Sequence, residues 1–265
     1  MSEVIVCTPK TLPPERQVHA AQRALEINPA NHPPTAAVAR SFGGGAPTGR
    51  ERISLLVARR WPASGVRLTV GFLDNPPADL RAHILLHMNG WGKTANVAFV
   101  ESNSNPKVRI ARLNSPPDRA GYWSWLGTEI LDIPDTEPTL NLEGFTMNTP
   151  ESEFHRVVRH ETGHTLGFPH EHMRRELVDR IDPAKAIDYF GLTQGWSAQE
   201  VKDQVLTPLD ETSLIGTAHS DQHSIMCYQI PGKLTRDGKP IIGGSHIDHR
   251  DYAFAAACYP KALHQ

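Results

Sequence analysis

The sequence predicts a mixed α/β (α+β) domain that follows an N-terminal extension of different composition. Three observations predict it: short stretches that alternate apolar and polar residues, segments with apolar residues at helical spacing, and a start rich in Pro and Gly. With 39% hydrophobic and 21% charged residues, the 265-residue chain can bury a core. Its formal net charge of -2 gives no electrostatic argument for binding nucleic acid. No segment has the roughly 20 consecutive apolar residues of a membrane span.

Residues 1–50 are predicted to form the N-terminal extension, and residues 51–265 the main domain. We expect a helix between Pro14 and Ile27, because proline suits a first helical turn and apolar residues recur on one face. The prolines and the glycine run that follow, centred on residues 43–45, predict a linker. The sequence leaves open whether the extension is a propeptide, a docking segment or a tail.

Strands are expected where apolar and polar residues alternate, or where short apolar runs end at turn residues. We place them at residues 66–72, 95–101, 107–113 and 139–142. Apolar residues at helical spacing predict one helix from about Pro76 to Gly90 and a last helix from His249 to Cys258.

A further helix after the fourth strand carries most of the chemistry-bearing residues. Thr149 is predicted as its N-cap and Pro150 as its first residue, and Gly167 as the glycine that ends it. This helix closes an upper subdomain, residues 51–168. Residues 169–265, the lower subdomain, are predicted to be mostly loop and short helix.

This helix presents a set of metal ligands. His160 and His164 are four residues apart and therefore lie on one helix face, where they can hold one cation. Gly167 allows a sharp turn that returns His170 as a third ligand. Three imidazoles and one open position are typical of a catalytic zinc site. Glu161 lies beside them, where it can take a proton from the attacking water and pass it to a leaving amine.

The run from His160 to His170 resembles the extended zinc signature of the metzincin metallopeptidases. Residues 224–228, Ser-Ile-Met-Cys-Tyr, resemble the Met-turn of that group. Glu171 after the third histidine, and the Gly-Tyr-Trp-Ser-Trp-Leu-Gly segment at residues 121–127, are similar to the astacin family. The resemblance covers about residues 61–259.

The resemblance implies a metzincin-like zincin fold: a twisted mixed sheet, two long helices above, and a loop-rich lower subdomain below a cleft. It implies one catalytic Zn²⁺ ion and hydrolysis of peptide bonds in an extended polypeptide. Met226 would form an apolar floor beneath the ligands. Tyr228 would be a further zinc ligand that moves to donate to the oxyanion. The substrate would pair with an edge strand made of Thr139, Leu140, Asn141 and Leu142.

The cysteines depart from the astacin pattern. The chain has 3 cysteines, and Tyr122 stands where the family has a disulfide cysteine, so we expect no disulfide framework. Cys7 is interpreted as an idle thiol in the extension. The alternative is a thiolate that blocks the open zinc position, as in the cysteine switch of matrixins, although its flanking residues are not the matrixin motif.

The sequence therefore predicts a zinc metalloendopeptidase with a polypeptide substrate; it favours a monomer but does not determine the oligomeric state. Three alternatives stay open: a toxin-like or effector protease with a single target, a hydrolase of non-protein amides such as cell-wall peptides, and a zinc-bearing binding module without activity. The N-terminus has no visible signal peptide, which favours a cytoplasmic protein or export by another route. The family resemblance instead implies secretion.

Overall fold

The structure, a computed structural model, describes residues 7, 8, 10–33, 57–113, 120–208 and 220–262. The linker predicted around residues 43–45 lies outside the described residues. The strands are β1 (Val66–Phe72), β2 (Val97–Glu101), β3 (Val108–Ala111), β4 (Tyr122–Ser124) and β5 (Leu140–Leu142). The α-helices are α1 (Pro14–Ile27), α2 (Ala78–Met88), α3 (Glu151–Glu153), α4 (Arg159–Thr165), α5 (Arg175–Val178), α6 (Pro183–Gln194), α7 (Ala198–Val201) and α8 (His249–Cys258).

The strands form one mixed sheet of five strands in the order β2-β1-β3-β5-β4. β1 pairs in parallel with β2 and β3, and β3 pairs in parallel with β5. β4 is antiparallel to β5, with Trp123 opposite Asn141. The connection from β1 to its parallel neighbour β2 is a crossover that includes α2, since parallel strands cannot be joined by a tight hairpin.

The edge of the sheet lies one strand away from the predicted position. The prediction that residues 139–142 form an edge strand is wrong, because β5 lies between β3 and β4. Leu140 is opposite Ile110 on one side and Ser124 on the other. The outer strand next to the cleft is therefore β4. Alternation along a strand reports which faces are buried but not which strands are its neighbours, so the sequence could not decide this.

The central helix, residues 151–165, consists of α3, a π-helical segment (Phe154–Val158) and α4. Its N-cap is Pro150 rather than the predicted Thr149, whose side chain accepts a hydrogen bond within the preceding turn. Gly167, with φ of 91°, allows the chain to turn away after the helix. Helix propensities do not distinguish a π-helical segment from an α-helix, so the sequence did not predict it. Such segments occur frequently at functional sites.

The lower part of the described chain contains more helix than predicted. Besides the predicted α8, it includes α6, a helix of 12 residues. The Asp182 side chain caps α6 by accepting from two backbone N–H groups, and Gly195 ends it in the left-handed conformation. None of the helices in the described residues is long and apolar enough to cross a bilayer.

The described part of the extension packs on the domain. α1 lies where the sequence predicts it, and Arg23 Nη1 donates to the Leu131 carbonyl at 2.7 Å. Upstream of α1, Cys7 forms a parallel bridge with Tyr122 of the outer strand. The two ends of this segment are thus attached to the flank of the domain and to the edge of its sheet.

Candidate metal centre

Three histidine rings converge at one point beside the central helix. His160 and His164 lie on successive turns of α4, and the turn at Gly167 returns His170 to them. Their Nε2 atoms are 3.1 Å apart for His160 and His164, 3.2 Å for His160 and His170, and 2.9 Å for His164 and His170. All three side chains are buried. The structure thus brings together the three residues that the spacing selects.

Backbone carbonyls determine which ring nitrogen carries the proton. Nδ1 of His160 donates to the Ile225 carbonyl at 2.6 Å, and Nδ1 of His164 donates to the Phe168 carbonyl at 2.8 Å. Burial lowers the pKa of His160 to about 4, and it lowers the pKa of His164 well below its ordinary value, so both rings are neutral. A neutral ring that donates through Nδ1 has a lone pair on Nε2. Lone pairs at these separations repel unless a cation lies between them.

The geometry fits a zinc ion. Nitrogens about 2.0–2.1 Å from a tetrahedral zinc are about 3.3 Å from one another, close to the separations of 2.9 to 3.2 Å between these rings. Cys7 supplies a fourth candidate ligand, and the ligand atoms of the four residues all lie within 4.8 Å of one another. Imidazole and thiolate are both preferred zinc ligands.

Cys7 also contacts the glutamate of the motif. Its Sγ donates to Glu161 Oε2 at 3.3 Å, and both side chains are buried. Burial raises the pKa of Glu161 to about 8, and burial with the neighbouring Glu161 charge raises the pKa of the Cys7 thiol. A bound cation reverses this effect, because it favours the anionic form of a nearby thiol.

Tyr228 contacts the backbone of Cys7. Its hydroxyl donates to the Cys7 backbone carbonyl. Its ring stacks on His172, with centroids 4.0 Å apart and an angle of 14° between the planes, and it lies 4.3 Å from the His170 ring. Burial raises the pKa of Tyr228, so the hydroxyl keeps its proton and stays a donor.

The Met-turn packs beneath the helix. A Cβ added to Gly163 would lie 2.4 Å from Met226 Sδ and 3.1 Å from Trp91 Cζ2. Glycine at this position therefore lets the methionine approach the helix between the two histidines of α4. The role of Met226 as an apolar floor beneath the ligands stays a prediction.

Asp251 is a positioning residue that the sequence analysis missed. Its carboxylate, in the first turn of α8, accepts from Ser224 Oγ at 2.6 Å and from the Ile225 backbone N–H at 2.9 Å. Ile225 is the residue whose carbonyl orients the His160 ring. The sequence signal was an Asp-x-x-Asp capping box formed with Asp248, which explains the helix start but not the contact across the fold.

The N-terminal segment occupies the edge of the sheet at this site. The Thr8 backbone N–H donates to the Tyr122 carbonyl at 2.9 Å, next to the Cys7 bridge. The cleft beside it is lined by residues that include Glu153, Arg156 and Glu161. All three cysteines, Cys227 and Cys258 included, are free thiols.

Comparisons with known proteins identify related chains. No protein-family model matches the sequence. Zinc metalloproteinase nas-27 of Caenorhabditis elegans is 28% identical over 187 residues, which are 70% of this chain and 37% of that protein. One structure of myroilysin is 31% identical with a TM-score of 0.70, and covers 77% of this chain and 97% of its own. A second myroilysin structure is 30% identical with a TM-score of 0.58, and covers 77% and 86%.

These matches differ in how much of each protein they span. The chain covers 37% of the length of the curated relative that it matches. The match to the first myroilysin structure covers nearly all of that chain, 97%, and supports the predicted fold class as well as the relationship.

Proposed function

Because the chain belongs to the astacin-like zinc metallopeptidases, we propose that it is a zinc-dependent metalloendopeptidase whose N-terminal segment holds it inactive. Zinc is the cofactor of this family. The observation that carries the proposal is the convergence of three buried Nε2 atoms, 2.9 to 3.2 Å apart, beside a buried glutamate.

His160, His164 and His170 would hold the zinc ion, and Glu161 would be the general base and acid. Bound zinc would lower the pKa of a water toward about 7 and polarise the scissile carbonyl. Glu161 then takes a proton from the attacking water on a carboxylate oxygen and passes it to the leaving amine. The contact of its Oε2 with Cys7, at 3.3 Å, supports this role, because the carboxylate faces the same space as the ligand nitrogens.

Tyr228 is proposed as the donor to the oxyanion. Its hydroxyl already points to a carbonyl oxygen in the cleft, that of Cys7, and stacking on His172 restricts the ring. A substrate carbonyl that replaces the Cys7 carbonyl would receive the same donor. We also propose Tyr228 as a zinc ligand once the N-terminal segment has left.

Cys7 is proposed to keep the site closed. Its thiol lies among the ligand atoms, its carbonyl accepts from Tyr228, and the adjoining Thr8 N–H is bonded to the outer strand. One short segment would thus take the fourth ligand position, accept the hydrogen bond of the proposed oxyanion donor, and cover the strand edge to which an extended polypeptide would add. Residues 1–50 would act as a pro-segment, and residues 51–265 as the catalytic domain.

The test is a mass-spectrometric digest of a peptide library with wild type, Cys7→Ala and Cys7→Ala/Glu161→Ala, matched for zinc content. We expect weak cleavage by wild type, strong cleavage by Cys7→Ala and none by Cys7→Ala/Glu161→Ala. Substitution is preferable to deletion of residues 1–50, because α1 packs on the domain. Cys258→Ala, a change at another buried free thiol, is the matched control and should behave as wild type.

Each contrary outcome has a defined meaning. Cleavage by Cys7→Ala/Glu161→Ala would contradict the role of Glu161. Equal cleavage by wild type and Cys7→Ala would contradict latency alone. No cleavage by zinc-loaded Cys7→Ala would contradict the general endopeptidase and favour a single-target protease or a binding module.

A further inference from the structure

A second group of histidines faces a glutamate at the start of the central helix. His83 and His87 lie four residues apart on α2, and Glu151 and His155 lie four residues apart at the start of the central helix. Because residues four apart lie on the same side of a helix, each pair occupies one face of its own helix. The four residues, called the second cluster here, do not include any residue of the metal centre described above.

The second cluster surrounds one carboxylate with ring nitrogens. Nε2 of His83 is 2.8 Å from Glu151 Oε2, whereas Nε2 of His87 and Nε2 of His155 are 3.1 and 3.3 Å from Oε1. The ligand atoms of His83, His87 and Glu151 all lie within 4.8 Å of one another. His246 stands behind His155, with their Nδ1 atoms 3.2 Å apart.

His87 is the buried member of the cluster. It is 2% exposed, and neither of its ring nitrogens makes a hydrogen bond of acceptable geometry, although Nε2 lies close to Glu151. Burial lowers the pKa of His87 to about 4, and the neighbouring Arg159, His155 and His83 lower it further, against the opposing effect of Glu151. The His87 ring is therefore neutral near pH 7. One of its nitrogens carries a lone pair, and a buried lone pair is stable only when a hydrogen-bond donor or a metal ion binds to it.

Glu151 provides the negative charge. The hydrogen bond from His83 lowers the pKa of Glu151, so the carboxylate is ionised. Its side chain is 58% exposed and that of His83 is 25% exposed, so an ion can enter from solvent. Two imidazoles and one carboxylate are a ligand set for borderline divalent ions such as Zn²⁺.

We propose that His83, His87 and Glu151, with His155 as a fourth donor, form a second binding site for a divalent transition-metal ion of the zinc class. The ion would cross-link α2 to the first turn of the central helix, the helix that also carries His160 and His164. Its role would be structural, because the ligands come from two helices and four protein ligands would leave no open coordination position for a substrate.

The experiment counts metal in the full chain. Proteins are equilibrated with excess Zn²⁺, separated from free ion by gel filtration, and analysed for zinc per chain by mass spectrometry. We expect two equivalents in wild type and one in His83→Gln/Glu151→Gln, which alters the exposed ligands and spares the buried His87. His249→Gln, a change at an exposed histidine of α8, is the control for adventitious binding and should retain two.

A second variant separates this proposal from the peptidase. His160→Gln/His164→Gln should retain one equivalent, which His83→Gln/Glu151→Gln should remove in the same background. One equivalent in wild type, or two in zinc-loaded His83→Gln/Glu151→Gln, would overturn the second site and leave the catalytic proposal intact. Circular dichroism of each variant confirms that the count refers to folded protein.

Discussion

Substitution of Gly167 by alanine should destabilise the protein more than the same substitution at a glycine turn where an added Cβ would contact no other atom. Gly167 has φ of +91°, and a Cβ there would lie 2.8 Å from the Arg59 carbonyl oxygen and 3.1 Å from its carbon. The left-handed conformation costs a non-glycine residue about 1–2 kcal/mol. Crowding against backbone, which cannot rotate away, adds about 1–3 kcal/mol. The expected loss in the free energy of unfolding is therefore about 2–5 kcal/mol.

Gly144 is the matched control. Its φ is +70°, and a Cβ there would meet nothing within 4 Å. Gly144→Ala should thus cost only the conformational part, about 1–2 kcal/mol. Effects of alanine on the unfolded chain are common to both variants and cancel in the difference.

The assay is urea unfolding of both variants with zinc removed, followed by zinc titration. Gly167→Ala should also bind zinc more weakly, because the turn at this glycine returns His170 to the other two ligands. Gly144→Ala should bind zinc as wild type does. Equal unfolding free energies for the two variants would refute the steric reasoning, and unchanged zinc affinity in Gly167→Ala would refute the link to His170.

Three further predictions concern other groups. In a Cys7→Ala background, Tyr228→Phe should lower kcat by about 10²–10³-fold with zinc content unchanged, as expected for loss of one oxyanion donor; an unchanged kcat would contradict the role. Burial raises the pKa of Asp251 from 3.8 to about 6, so the folded state binds the proton more tightly and stability falls as pH rises through that window. Asp251→Asn should flatten this fall by up to about 3 kcal/mol in urea unfolding at pH 4 and pH 6, and a fall as steep as that of wild type would contradict the assignment. Removal of zinc with a chelator should lower the thermal unfolding midpoint, since neutral His160 and His164 are left with facing lone pairs, and re-added zinc should restore it; an unchanged midpoint would contradict this.

In the N-terminal extension, the helix α1 could be predicted from the sequence but the position of Cys7 could not. The helix from Pro14 to Ile27 follows from proline placement and periodicity, which are local. The position of Cys7 depends on a long-range contact: it lies 154 residues from Glu161 in sequence, and its flanking residues are not the matrixin motif. The sequence favours an idle thiol at Cys7, whereas in the structure the thiol is buried close to the Nε2 atoms of the three histidines.

By itself the sequence predicted that His160, His164 and His170 come together as a group able to bind a metal, because helical periodicity fixes the spacing of the first two and Gly167 lets the third return. It also determined the family, the mixed class of the fold and the bounds of α1 and α8. Only the tertiary structure decided that β4 is the outer strand, that Asp251 supports the Met-turn, and that His83 and His87 meet Glu151. Those contacts join elements far apart in the chain, and no local propensity or period specifies which elements become neighbours.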